Sequence, residues 1–187
     1  WEVEFNAGPQ GWCVQEYLEA APVEDGGGRP DGRDPLPFDV QTDLKEPVAV
    51  TAEELDAAIA AERSDSPLIG LGDTWIDVQE QYSINALYQA AHAVHESYWG
   101  LSNIAQDKNN LYGWNAKDAC PAECADGYDS FEQCVRVVME RINDGYLTPG
   151  DWRYNGPNLS GMNVYYATDD RWDVKIAGIY RTLANDL

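Results

Sequence analysis

Between positions 84 and 98, apolar side chains return every three or four residues, at Ile84, Leu87, Tyr88, Ala91, Val94 and Tyr98. That period predicts a helix over 84–98 with one apolar face. Another helix is predicted over 51–62, where Thr51 and Glu54 form a capping box ahead of an apolar stripe. Gly70 and Gly72 punctuate the chain before a further helical stretch at 74–82. Residues 99–118 read as a short helix followed by loop. Ser130 with Gln133 opens a capped helix to about residue 143, and Thr168 or Asp169 caps a last one to about residue 183. The stretch 146–161, dense in aromatic and turn residues, reads as loop.

Upstream the pattern changes. Residues 24–38 are rich in Gly, Pro and Asp and keep no helical period, while the alternation in 1–5 fits a short strand. The expected organisation is an irregular, extended acidic arm or linker over 1–48, then a mainly α-helical domain with long loops over 49–187.

Composition adds limits. Of the 187 residues, 44% are apolar, which is enough for a core. No apolar run approaches the ~20 residues of a membrane span, so membrane insertion is not expected. The chain opens at Trp1 rather than Met, which reads as a processed N-terminus or a piece of a longer chain. Charge changes the picture more. Asp and Glu number 33 against 12 Lys and Arg, for a net −21, so nucleic acid and anionic membranes are repelled. The acids are spread along the chain, and the only lysines are Lys45, Lys108, Lys117 and Lys175. That balance suggests a surface adapted to high salt, where screening relieves self-repulsion. Cysteines stand at 13, 120, 124 and 134. Oxidised pairs are expected in a protein that works outside a cell, and of three pairings Cys120–Cys124 with Cys13–Cys134 is preferred.

One short stretch concentrates chemistry: AHAVHESYWGLS, residues 91–102. Glu96 lies near the end of an otherwise apolar helix, where a carboxylate is rarely buried without purpose. Desolvation beside Tyr98 and Trp99 would raise its pKa, as a general acid at neutral pH requires. The plainer alternative is a solvent-facing or capping glutamate. His92 and His95 invite a zinc reading. Their order, H-x-x-H-E, is not the H-E-x-x-H of zinc proteases, and a third ligand would have to come from elsewhere. No metal is assigned.

The motifs A-H-x-x-x-E-S-x-W-G-x-S-x-I-A-x-D-K-N-N (91–110) and Y-A-T-D-x-x-W-x-x-K-I-A (166–177) occur here in that order. Together they resemble the glucosaminidase family, glycoside hydrolase family 73, of the endo-β-N-acetylglucosaminidase type found in bacterial cell-wall hydrolases. The resemblance covers about residues 51–183 and leaves 1–48 unmatched. It implies a lysozyme-like α-domain that cleaves β-1,4 bonds after N-acetylglucosamine (GlcNAc). The family's catalytic glutamate falls on Glu96, as general acid. Its tyrosine falls on Tyr166, across the cleft at the anomeric carbon, with Tyr165 adjacent. Asp118, in N-A-K-D, matches the aspartate of a related A-Y-D motif and is the first choice for a second carboxylate, with Glu123 and Asp129 as alternatives. Without one, the substrate's own acetamido group serves as nucleophile.

Asn110 and Gly113 match the family's N-N-x-x-G segment, where Asn110 would fix the loop. Tyr112, Trp114, Trp152, Tyr154 and Tyr165 are candidates for substrate binding, because aromatic faces suit the C–H surface of pyranoses. Core packing is the better expectation for Trp172 and Trp99. No cofactor is implied. The expected partner is a GlcNAc-containing polysaccharide, peptidoglycan or a surface glycan. The expected setting is extracellular and salty, on a secreted, cell-surface or virion-associated protein. The charge of −21 departs from the basic or mildly charged character usual in the family. The competing reading is a catalytically silent glycan-binding or structural module of a virion tail or surface assembly.

Overall fold

A computed structural model of the chain describes residues 36–116 and 121–187. The strand expected at 1–5, the arm over 1–35, and Cys13, Asp118 and Cys120 lie outside the described residues. The described residues are helical, with no β-sheet among them.

Helix α1 (Ala52–Glu62) starts at the expected capping box. Glu54 N–H donates to Thr51 Oγ1 (3.2 Å), and Thr51 N–H donates to Glu54 Oε2 (2.8 Å). Helix α2 (Gly72–Tyr82) begins against α1, so close that a Cβ on Gly72 would stand 2.2 Å from the Ala52 carbonyl oxygen. Helix α3 (Ala86–Ser97) is capped by Asn85, whose side chain accepts from Tyr88 N–H. Every residue from Ala86 to Val94 is buried, which makes α3 the central helix rather than one with a single apolar face. Its polar Gln89 is accommodated by donating to the carbonyls of Ile84 (2.8 Å) and Trp75 (3.2 Å). Tyr98, expected on the apolar stripe, instead ends the helix in a left-handed conformation and is exposed.

Helices α4 (Asn103–Lys108) and α5 (Pro121–Cys124) are short. Helix α6 (Phe131–Ile142) is capped by Ser130 and widens into a π-turn, Asn143–Leu147. Helix α7 (Leu159–Tyr166) is capped by Asn158, in a stretch that the sequence pattern left without a helix. Helix α8 (Trp172–Asn185) runs along α3, and α7 packs on α8. Before it, Asp169 forms an Asx-turn, its Oδ1 accepting from Arg171 N–H (3.0 Å) and its carbonyl from Trp172 N–H (3.1 Å).

Residues 36–48 form no helix, yet they belong to the same core. The Phe38 ring stacks on Tyr180 at 3.7 Å, and Leu44 is wholly buried. Leu44 N–H donates to the Pro157 carbonyl (2.7 Å), and Ser160 N–H donates to that of Val40 (3.0 Å). The expected Cys13–Cys134 pairing is corrected here. Cys134 is a free, buried thiol whose sulfur accepts from Leu111 N–H at 3.3 Å. It lies on the buried face of α6, in the core. Cys124 is disulfide-bonded, and its partner is not among the described residues.

Candidate active site

Glu96 sits on the last turn of α3, and the chain reverses at once. Tyr98, Trp99 and Gly100 have φ of 52°, 61° and 77°, three left-handed residues in a row, two of them with side chains. The turn is locked from several sides. Ser97 Oγ donates to the Ala93 carbonyl (2.6 Å) and accepts from Gly100 N–H (2.7 Å). Ser66 Oγ donates to the Trp99 carbonyl (2.8 Å). A Cβ at position 100 would stand 2.9 Å from Pro67 Cγ, so both conformation and space demand glycine there. This is the physical content of E-S-x-W-G: a rigid exit that fixes the direction of the glutamate.

The Glu96 side chain is 6% exposed, and its carboxylate meets the Trp172 indole. Trp172, from the first turn of α8, donates its Nε1–H to Glu96 Oε1 at 2.7 Å. His92, one turn back on α3, places Nε2 3.6 Å from the same oxygen. That is too long for a formed hydrogen bond, so its influence is electrostatic. The other ring nitrogen, Nδ1, meets the Tyr88 hydroxyl at 3.2 Å. Around the imidazole stand Tyr112, Tyr166 and Trp172, with ring centroids at 5.1, 5.1 and 5.2 Å, all edge to face. Tyr166 in turn lies 4.8 Å from Trp172, centroid to centroid.

Burial pushes the Glu96 carboxyl up. His92, the neighbouring His95 ring when it carries a proton in acid, and the Trp172 N–H pull it down, and the net is below its ordinary value. The expected upward shift is therefore corrected: the aromatic wall that excludes water also supplies a donor to the ionised form. Burial holds His95 below the usual histidine range, so its ring is neutral at pH 7. Burial, with the Glu96 charge behind it, raises the Tyr166 phenol well above its ordinary range. That hydroxyl keeps its proton at any physiological pH. The pocket thus holds a carboxylate able to take up and release a proton beside a phenol that stays neutral.

The residues singled out by sequence fall into two layers. Glu96, Tyr166 and Tyr112 are inner, with Tyr166 1% exposed and Tyr112 wholly buried, its hydroxyl donating to the Gln89 carbonyl (3.3 Å). Asn110 is also buried. Its amide nitrogen donates to the carbonyls of Trp114 (3.0 Å) and Asp126 (2.9 Å), and its Oδ1 accepts from Trp114 N–H (3.0 Å). Those bonds hold Trp114, half-buried, 6.3 Å from Tyr166 and under the Arg141 guanidinium at 5.6 Å. The outer layer is Trp152 and Tyr165, exposed by 65% and 43%, their rings 5.3 Å apart and nearly perpendicular. Tyr154 is half-buried on the same loop as Trp152. Asp129 is exposed, its carboxylate accepting from Gln133 Nε2 (3.1 Å), and Glu123 is exposed as well.

Sequence reasoning missed Trp172 as a partner of Glu96 and took it for core. It is both, and the signal lay in the motif, where the tryptophan follows Y-A-T-D at a fixed interval.

Residues 72–185 match the family Glucosaminidase, described as mannosyl-glycoprotein endo-beta-N-acetylglucosaminidase. A Streptococcus pneumoniae serotype 4 protein named "Putative endo-beta-N-acetylglucosaminidase" is 38% identical over 138 residues, 73% of this chain and 21% of that protein. The chain thus spans about a fifth of the length of the curated relatives it matches. Staphylococcus aureus autolysin E, solved as a catalytic mutant with the disaccharide NAG-NAM, has the same fold, with a TM-score of 0.62 at 22% identity over 79% of this chain and 73% of that one. S. aureus glucosaminidase B follows at a TM-score of 0.55 and 20% identity over 76% and 64%. The lysozyme-like helical fold expected from sequence is therefore the one observed, and with well over half of its residues inside the family match the chain belongs to the glucosaminidase family of glycoside hydrolases.

Proposed function

We propose that this chain hydrolyses β-1,4 bonds after GlcNAc in a peptidoglycan-type polymer, with Glu96 as the general acid. The observation that carries the reading is the carboxylate of Glu96, 6% exposed, held by Trp172 within a wall of rings that includes Tyr166. Glu96 protonates the leaving glycosidic oxygen. The neutral Tyr166 phenol backs the anomeric centre, where positive charge develops. Asp118 is the first choice for the second carboxylate, and the substrate's acetamido group takes that part if Asp118 stands away. Trp114, Trp152, Tyr154 and Tyr165 offer ring faces to the sugar chain. The NAG-NAM disaccharide bound by the fold relative autolysin E supports peptidoglycan as the polymer.

The charge of −21 belongs to the same reading. An acidic enzyme approaches an anionic wall only when the Debye length is short, about 3 Å in molar salt. We place its action outside the cell, at high salt. The melting temperature should rise between low and molar salt; no rise would remove the salt adaptation.

The test is digestion of purified peptidoglycan in molar salt, with reducing ends identified by mass spectrometry and Glu96→Gln alongside. New GlcNAc reducing ends that vanish in the variant support the assignment. Binding without products would make the chain a glycan-binding module.

A further inference from the structure

The π-turn between α6 and the 148–158 loop has a gap with an occupant. Gly145 lies within the turn, and a Cβ there would stand 2.5 Å from Arg153 Nη2 and 2.7 Å from its Cζ. The guanidinium fills the place a side chain would take. It lies over the Tyr146 ring, 4.9 Å from the centroid, and Tyr146 meets Tyr166 edge to face at 5.2 Å. Tyr146 is buried, so the cation covers one part of that ring while Tyr166 meets another.

Asp151 holds the guanidinium in two-point fashion, Nε to Oδ1 at 2.9 Å and Nη2 to Oδ2 at 3.1 Å. Asp151 Oδ1 also accepts from Arg153 N–H at 2.9 Å, so the carboxylate fixes backbone and side chain together. Pro149 and Gly150 (φ 120°) make the turn that delivers Asp151. A lysine would keep the charge but lose both the paired bonds and the flat contact.

We propose that Arg153 is a positioning residue for the reaction: seated in the gap at Gly145 and held by Asp151, it presses Tyr146 against Tyr166 and so fixes the phenol relative to Glu96. The inference rests on the reading that Tyr166 works beside Glu96. It goes beyond that reading by assigning the outer loop a part in the chemical step. A shift of the phenol by a fraction of an ångström then appears in kcat, because near-attack geometry is lost while the sugar-binding surfaces stay in place.

The experiment measures initial rates on solubilised peptidoglycan in molar salt for Gly145→Ala, Arg153→Met, Arg153→Lys and Glu96→Gln, with melting temperatures. Gly145→Ala leaves Arg153 in the chain but puts a methyl group where its guanidinium lies, in a helical backbone that accepts alanine. The expected result is a loss of about tenfold in kcat for Gly145→Ala and Arg153→Met, with KM within about twofold, and Arg153→Lys falling between them and the parent. Should Arg153→Met fail to fold, Gly145→Ala carries the test alone. Unchanged kcat in both, with Glu96→Gln inactive, would overturn the proposal and leave the Glu96 assignment standing. A loss confined to KM would also overturn it, making Arg153 a sugar contact. Full activity in Glu96→Gln would overturn the reading on which the proposal rests.

Discussion

The buried cluster around His92 and the exposed pair Trp152–Tyr165 share tyrosine and tryptophan but differ in depth and packing. In the cluster, the imidazole meets the phenols and the indole edge to face, and the indole donates to the Glu96 carboxylate. In the outer pair the two rings meet edge to face, the Arg153 guanidinium lies 5.8 Å from the Trp152 centroid, and most of the Trp152 surface is in solvent. In the proposed function the inner rings would shape the electrostatics of a proton, and the outer rings would offer area to a ligand. An aromatic residue's type therefore says little about its role, and its depth says much.

This contrast is open to measurement. The largest expected effect is in the cluster: Glu96→Gln should lower turnover by about 10²–10⁴-fold with the melting temperature retained, read as reducing ends per enzyme. The pH profile comes next. Because the Glu96 pKa is depressed, the carboxyl is ionised in most molecules at pH 7. Its protonated fraction grows about tenfold for each unit that pH falls toward the pKa. kcat/KM should accordingly rise from pH 7 to pH 5, and a flat profile would take proton donation away from Glu96. Across that window Glu96 is ionised in both folded and unfolded chains, so its depressed pKa leaves stability unchanged there; its contribution is lost only in stronger acid. Tyr166→Phe should cost about tenfold in kcat with little change in KM, which would separate the phenol's role from plain packing. The smallest effect belongs to the outer pair. Trp152→Ala should raise KM about threefold and leave kcat in place, as loss of one sugar-facing ring predicts. If kcat fell instead, the division into inner chemistry and outer binding would fail.

Much of this was legible in the sequence. Thr51 with Glu54 and Ser130 with Gln133 marked two helix starts, and both caps are present. The period through Ile84, Leu87, Ala91 and Val94 marked the central helix. Glu96 and Tyr166 were singled out by motif, and the chain brings both against Trp172. What pattern could not supply was depth. Tyr112 looks like a cleft residue in a loop, yet it is packed edge-on to His92; Asn110, expected to fix that loop, does so through backbone groups on both sides. Helix α7 escaped notice because its eight residues follow a run of Gly, Pro and Asn, and its start is set by Asn158 rather than by a long apolar period. The sign of the Glu96 shift was missed for a similar reason: burial is readable from apolar neighbours, whereas a donor 76 positions away is not.

The segment 36–48 has a practical side. Phe38, Leu44 and Val48 complete the core, and two backbone bonds from Leu44 and Ser160 tie it to the stretch that launches α7. Anyone cutting out a minimal domain at the edges of the family match, 72–185, would discard those side chains along with α1 and expose what they cover. Such a fragment should come out of expression insoluble. A portable version of this domain, fused to another binding domain, starts no later than Leu36.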